Sequence, residues 1–247
     1  GAMSSSKVMS LDILASSIAQ GWKRPVFFAM TVPDSYYLGL SKYMENTGMA
    51  YQVTPIISGQ SDTQGINTDK MYKNIMTKFR WGGLDKAAPG SLYLDETVRR
   101  MVTTLRSAMC DLTFELIREG AMAQEKSQKL GKANAEGAKL MAYANQRYDM
   151  ARNVLKTMDA KLPVKTCPYS LQLGERIAQA YLIIGDQTHN QTDHNNGLKV
   201  LEAEIMRYAQ YLKFYQTLSA SEYGRLSYYD NIIDRQYFPT LLSEYYD

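Results

Sequence analysis

The sequence predicts a mainly α protein in which a small N-terminal α/β unit is followed by an antiparallel α-hairpin array. Three observations carry this reading. Between Leu94 and Gly120, Val98, Met101, Val102, Leu105, Met109, Leu112 and Leu116 recur three and four residues apart, as one apolar stripe on a helix. Before that stretch lie short apolar runs of strand length and turn-rich segments. After it the helical period continues almost to the end of the chain. With 247 residues, 45% hydrophobic and 21% charged, the chain can build one large domain or two small ones.

Taken in order, Gly1-Ala2-Met3 reads as the remnant of a cleaved affinity tag, and so as the start of an expressed piece of a longer protein. Ser10 to Gln20 carries Leu11, Leu14, Ala15 and Ile18 at helical spacing, and Gly21 ends it. Val26-Phe27-Phe28-Ala29-Met30, between Pro25 and Pro33, reads as a buried strand. Tyr37 to Thr47 reads as a second helix closed by Gly48, and Ala50 to Ile57 as a second strand. If the helix is a crossover, the two strands are parallel. Ser58 to Thr68 is polar and Gly-rich, a loop or hinge, and Asp69 to Arg80 is a helix with Met71, Ile75, Met76 and Phe79 inward. The chain thus divides into residues 1–3, a unit at 4–68 and a helical array at 69–247.

In the array, Asp95 is the expected N-cap of the central helix, with Glu96 in its first turn, while Arg118 and Gly120 suit its end. Ala121 to Gly137 has little apolar content. A second helix shows Leu140, Ala144, Tyr148, Ala151, Leu155 and Met158 on one face and stops at Pro163. A third runs from Tyr169 to Gly185, a fourth from Gly197 to Leu218, and a last segment, Ser221 to Tyr246, is interrupted at Pro239. Ala178, Tyr181 and Gly185 keep the spacing of a tetratricopeptide unit: a small residue, an aromatic three later, a turn glycine four after that. Leu116, Gly120, Ala151, Leu155 and Pro163 match parts of a preceding unit, with an insertion between Gly120 and Ala151. The array is therefore read as tetratricopeptide-like.

Four pieces, WKRPVFFAMTV (22–32), YLGLSKYMENTGMAYQVTPI (37–56), SLYLDETVRRMVTTLR (91–106) and the pair AQAYLIIG (178–185) with YLKFYQTL (211–218), carry a family resemblance. Together they resemble the C-terminal soluble region of a bacterial family of multi-spanning membrane proteins, a domain of unknown function related to GT-C protein O-mannosyltransferases. The resemblance implies a membrane-embedded N-terminal half that handles a lipid-linked sugar donor, and a tetratricopeptide-like tail on the periplasmic side of the inner membrane. This chain would be that tail. Residues 121–147 and 186–196 are longer here than the family pattern. The family's catalytic acids would lie in membrane-proximal loops, so no catalytic residue is carried onto any position.

The residues themselves exclude several chemistries. A net charge of +3, with Lys and Arg interspersed among Asp and Glu, argues against nucleic acid. Gly82-Gly83 lacks the spacing of a phosphate loop. No stretch reaches the roughly 18 apolar residues of a membrane helix, so the chain reads as soluble and reaches a membrane through a region outside it. Cys110 and Cys167 form neither a disulfide framework nor a metal pair; two buried thiols are the preferred reading and a single bridge the alternative. His189 and His194, with Asp186 and Asp193, are of metal-ligand type but fall in a polar stretch read as a solvated loop, so no metal and no cofactor is assigned. Asp95 and Glu96 read as caps instead of a glycosidase pair.

Candidate ligand contacts are Arg24, Tyr93, Arg99, Arg100 and Tyr181, the arginines because a guanidinium can grip a phosphate or carboxylate. Tyrosine, at 19 residues, can stack on sugars or hold peptides, though helix packing is its commoner use. The expectation is a non-catalytic extracytoplasmic domain of a GT-C type glycosyltransferase that binds an acceptor, partner protein or peptide. The alternatives are a stand-alone peptide-binding scaffold and a carbohydrate-active domain.

Overall fold

The computed structural model describes residues 4–59, 63–88, 90–131 and 134–246. The tag remnant expected at residues 1–3 lies outside the described residues. The fold is mainly α with a small N-terminal α/β unit, and the chain divides into two compact units, Gly1–Arg80 and Trp81–Asp247.

The first unit opens with α1 (Ser5–Ala19), which closes through Gly21 at φ 66°. It buries Leu14 and Ser17 but leaves Leu11 and Ile18 exposed, so only part of the expected stripe faces inward. Four short strands follow: β1 (Phe27–Ala29), β2 (Met44–Asn46), β3 (Ala50–Val53) and β4 (Gly65–Ile66), in the order β1-β3-β2-β4. β1 is an edge strand with Phe27 exposed, not a buried strand, because it pairs on one side only. The helix expected over Tyr37 to Thr47 does not form. Leu38 and Gly39 take left-handed backbone angles, a single 3₁₀ turn covers Ser41–Tyr43, and β2 begins at Met44. β2 then pairs antiparallel with β3, Met44 opposite Val53 and Asn46 opposite Tyr51.

Gly48, expected to close a helix, instead turns this hairpin. Its φ of 148° suits glycine, and its N–H donates to the Asn46 side chain at 2.9 Å. The crossover reading fails with the helix: β1 and β3 are antiparallel, and among the described residues only β2 and β4 run parallel. Leu14, Tyr37, Met44 and Val53 make the core of this unit, with Phe28 and Tyr51 edge-on to the Tyr37 ring at 5.7 and 5.8 Å. α2 (Thr68–Thr77) is capped by Asn67, buries Met71 and Ile75, and is tied to the β2–β3 turn by Asn74, which donates to the Thr47 carbonyl at 2.7 Å.

The second unit is built on α3 (Glu96–Leu130) and α4 (Ala135–Lys161), which form a long antiparallel hairpin. Asp95 caps α3 as expected, accepting from Val98 N–H at 2.7 Å. The helix does not end at Gly120, however, and the polar stretch to Leu130 continues it. Gly120 is buried in mid-helix because a Cβ there would lie 2.9 Å from the Tyr148 ring of α4. The Tyr148 hydroxyl donates to Gln124 at 2.9 Å across the same interface.

α5 (Leu173–Thr188) and α6 (Gln191–Tyr215) form a second hairpin. α5 starts later and ends later than the sequence suggests, bounded by left-handed Gln172 and His189. α6 starts six residues earlier than expected, at a cap supplied by Asn190. The stretch read as a loop is therefore mostly helix. Gly185 is no turn residue either: its missing Cβ lets the backbone N of His194 approach, since a Cβ would lie 2.7 Å from it. α7 (Ala220–Ile232) enters through a Ser219–Glu222 capping box, runs into a π-helical turn at Ile233–Tyr237, and continues as α8 (Phe238–Tyr246). Pro239 sits just inside α8 and does not stop it; the wide turn immediately before accommodates a residue with no N–H to give. Ile233 and Leu241 pack with Ala178, Leu201 and Tyr208 in one apolar cluster. No helix among the described residues is long and apolar enough to cross a membrane.

Candidate functional site

Several buried polar groups of the second unit gather where the 162–171 linker passes between helices. Arg106 of α3 is fully buried, and its guanidinium donates to the carbonyls of Leu162 and Cys167, each at 2.7 Å, and of Pro168 at 3.3 Å. It also lies 4.8 Å from the Tyr169 ring centroid. Burial pulls its pKa below the usual arginine range, but a planar fork with three carbonyl partners remains charged. Arg106 thus pins an irregular linker whose carbonyls have no helix or sheet to satisfy them. Tyr169 and Tyr181 both donate to the Asp159 carboxylate, at 3.3 and 2.9 Å, and burial drives both phenols well above their ordinary range. Cys110 and Cys167 are free thiols; burial pushes the Cys110 pKa up to about 11, which removes its nucleophilic character at neutral pH.

The pinned linker forms one wall of an open depression of about 330 Å³, bordered also by α6 and by the junction of α7 with the π turn. Tyr211, Tyr215 and Tyr229 line it, with Leu171 and Ile233 as its apolar part and Arg207 and Ser170 as its polar part. Arg207 donates to the Tyr169 carbonyl at 2.6 Å and pairs with Glu204 one turn away on α6. Its guanidinium lies 5.2 Å from the Tyr208 ring and 5.9 Å from the Tyr211 ring, and those two rings stack at 6.4 Å. Glu204 is 2% exposed, and burial pushes its carboxyl up to about 7 while Arg207 pulls it down. Gly174 makes room for it: a Cβ there would lie 2.4 Å from the Glu204 carboxyl carbon.

A second depression, of about 310 Å³, lies at the α5–α6 turn, lined by Asp186, His189 and His194. His194 Nδ1 lies 3.3 Å from Asp186. Asp193, grouped with them by sequence, is instead 2% exposed and paired with Arg152 of α4 at 2.7 Å. No group of three His, Cys, Asp or Glu among the described residues is placed to hold a metal ion.

The first unit, with its helix, four short strands and α2, is the part of the chain that resembles a known sequence family. Residues 1–70 match TMEM260-associated domain 2. The TMEM260-like stretch covers α1, the whole sheet and the first turn of α2, and relates this end of the chain to a membrane-protein family. No curated protein and no solved structure matches the chain.

Of the candidate contacts, Arg24 lies in the TMEM260-like unit, exposed, with its carbonyl accepting from Ser17 at 2.5 Å. The others belong to the second unit. Tyr93 is 90% exposed ahead of α3, and Arg99 and Arg100 are exposed on its first turns. Tyr181 is buried with its hydroxyl committed to Asp159. The structure does not bring these residues together. Sequence reasoning missed Arg207, Glu204 and the role of Tyr229. The signal present was Glu204, Arg207, Tyr208, Tyr211 and Tyr215 at three- and four-residue spacing, which places charge and aromatic groups on one helical face.

Proposed function

We propose that the chain is a non-catalytic extracytoplasmic accessory domain of a membrane-embedded glycosyltransferase of GT-C type, whose tetratricopeptide-like helical unit binds the acceptor or a partner protein. The observation that carries the reading is the match of residues 1–70 to a TMEM260-associated domain. The resemblance of four sequence pieces to a soluble tail of GT-C relatives supports the same assignment. The tyrosine-lined depression supports a binding role: it is concave, and four of its eight lining residues are tyrosines. The tyrosine and arginine hydrogen bonds around it hold structure, not a nucleophile beside a base.

Fractionation of native cells, probed with an antibody against this chain, tests the proposal. A membrane-bound band far larger than 28.0 kDa is the expected result, with sugar transfer by the full-length protein and none by these 247 residues. A soluble band near 28.0 kDa would overturn it in favour of the stand-alone peptide-binding scaffold, a reading that the hairpin array itself favours. Turnover by the isolated chain would overturn it in favour of a carbohydrate-active domain.

A further inference from the structure

We infer that the cavity walled by Tyr211, Tyr215 and Tyr229 is a binding site for a neutral sugar ring of the pyranose class. The inference names the ligand for the binding role proposed above and rests on that role.

The size of the cavity, about 330 Å³, sits at the small end of ligand pockets and suits a ring-sized guest better than a helix. The hydroxyls of Tyr211, Tyr215 and Tyr229, and that of Ser170, have no hydrogen-bond partner among the described residues. Four residues whose hydroxyls can each donate and accept therefore border one space. Burial, with Tyr211, Asp230 and Tyr229 nearby, raises the pKa of Tyr215, so it stays a neutral phenol at physiological pH.

The guanidinium of Arg207 does not make this an anion site. Its terminal nitrogens are committed to the Tyr169 carbonyl and to Glu204, and its Nε is sealed from solvent. Above about pH 7 the Glu204 carboxylate balances its charge. A peptide strand is also poorly served. It needs backbone partners, and the linker carbonyls at Tyr169 and Ser170 already accept from Arg207 and from Leu173 N–H at 2.6 and 3.2 Å.

What remains is a set of aromatic faces with free hydroxyl edges against an apolar Leu171–Ile233 patch. A pyranose matches that set, with C–H faces for the rings and hydroxyls for the phenols. The Tyr211 ring is held by stacking on Tyr208, itself packed against Arg207, so little ordering cost is left for binding.

The test is saturation-transfer NMR on the intact chain at pH 8, titrated with the methyl pyranosides of glucose, galactose and mannose. At least one should bind saturably with a Kd of about 1 mM. Tyr211→Ala and Tyr229→Ala should each weaken it about tenfold in variants that still melt cooperatively, since both side chains are partly exposed. Tyr229→Phe, which keeps the ring and removes the hydroxyl, should fall between wild type and Tyr229→Ala. Absence of saturable binding by all three pyranosides, or equal binding by wild type and both alanine variants, would overturn the assignment. A proline-rich peptide that binds through Tyr211 and Tyr229 where no pyranoside does would also overturn it, and would leave the accessory-domain reading standing. Pyranoside binding by a chain that fractionates as a soluble 28.0 kDa protein would support the sugar site while removing its membrane setting.

Discussion

Two kinds of glycine occupy the helices of this protein, and they respond to substitution in opposite ways. Gly120 and Gly185 have neighbours where a Cβ would go, the rigid Tyr148 ring at 2.9 Å and the His194 backbone at 2.7 Å, whereas Gly224 in α7 has open space. Gly120→Ala and Gly185→Ala should each cost about 1–3 kcal/mol, because neither neighbour can rotate away. Gly224→Ala should add about 0.5–1 kcal/mol by removing unfolded-state freedom. Urea denaturation of the three variants checks both signs. Glu204 makes a separate prediction. Its folded pKa, about 7, lies above the ordinary glutamate value of 4.5, so the folded state binds the extra proton between those values and stability falls as pH rises across that window. Glu204→Gln should flatten that part of the profile, which urea midpoints from pH 4 to 8 will show. Sequence spacing read Gly120 and Gly185 as turn glycines, whereas both lie inside helices that pack against a neighbour. Spacing could not show this, since the reason is a facing helix.

At the scale of elements, the strongest sequence signals survive and the boundaries move. The α3 stripe buries Val102, Met109, Leu112 and Leu116, while Met101, at the less covered start of the helix, remains 65% exposed. Asn46-Thr47-Gly48, read as the end of a helix, is instead a hairpin turn, because β2 pairs with β3 across it. α7 has no buried residue, which leaves its capping box a larger share of its stability. Ser219→Ala removes the hydroxyl half of its capping box and should cost about 1 kcal/mol. Amide exchange over residues 220–224 should accelerate, and pyranoside binding through Tyr229 should weaken with it. Unchanged exchange would mean that the cap contributes nothing and α7 is held by its far end.

For the whole molecule, the two units each carry their own core, one around Leu14, Tyr37, Met44 and Val53 and the other among α3 to α8. Residues 81–247 should therefore unfold cooperatively when expressed alone and keep the Arg106 linker and the tyrosine cavity. Thermal denaturation followed by tyrosine fluorescence, with coincident circular dichroism, checks this. A broad, non-cooperative melt would show that the helical unit needs the first eighty residues.

Periodicity, caps and composition by themselves determined the mainly α class, the N-terminal α/β unit, the hairpin order of the long helices and the Asp95 cap. Those are local properties, set by the repeat of apolar residues and by backbone groups within one turn. The strand directions, the edge position of β1, the continuation of α3 through Gly120 and the gathering of Arg207, Tyr211, Tyr215 and Tyr229 were decided only in the tertiary structure. Each depends on which surface faces another across a long loop in sequence, and the linker that shapes the cavity is held there by Arg106, about sixty residues before it. A buried arginine sharing three carbonyls looks, in sequence, like any charged residue on a helix; its partner is the fold.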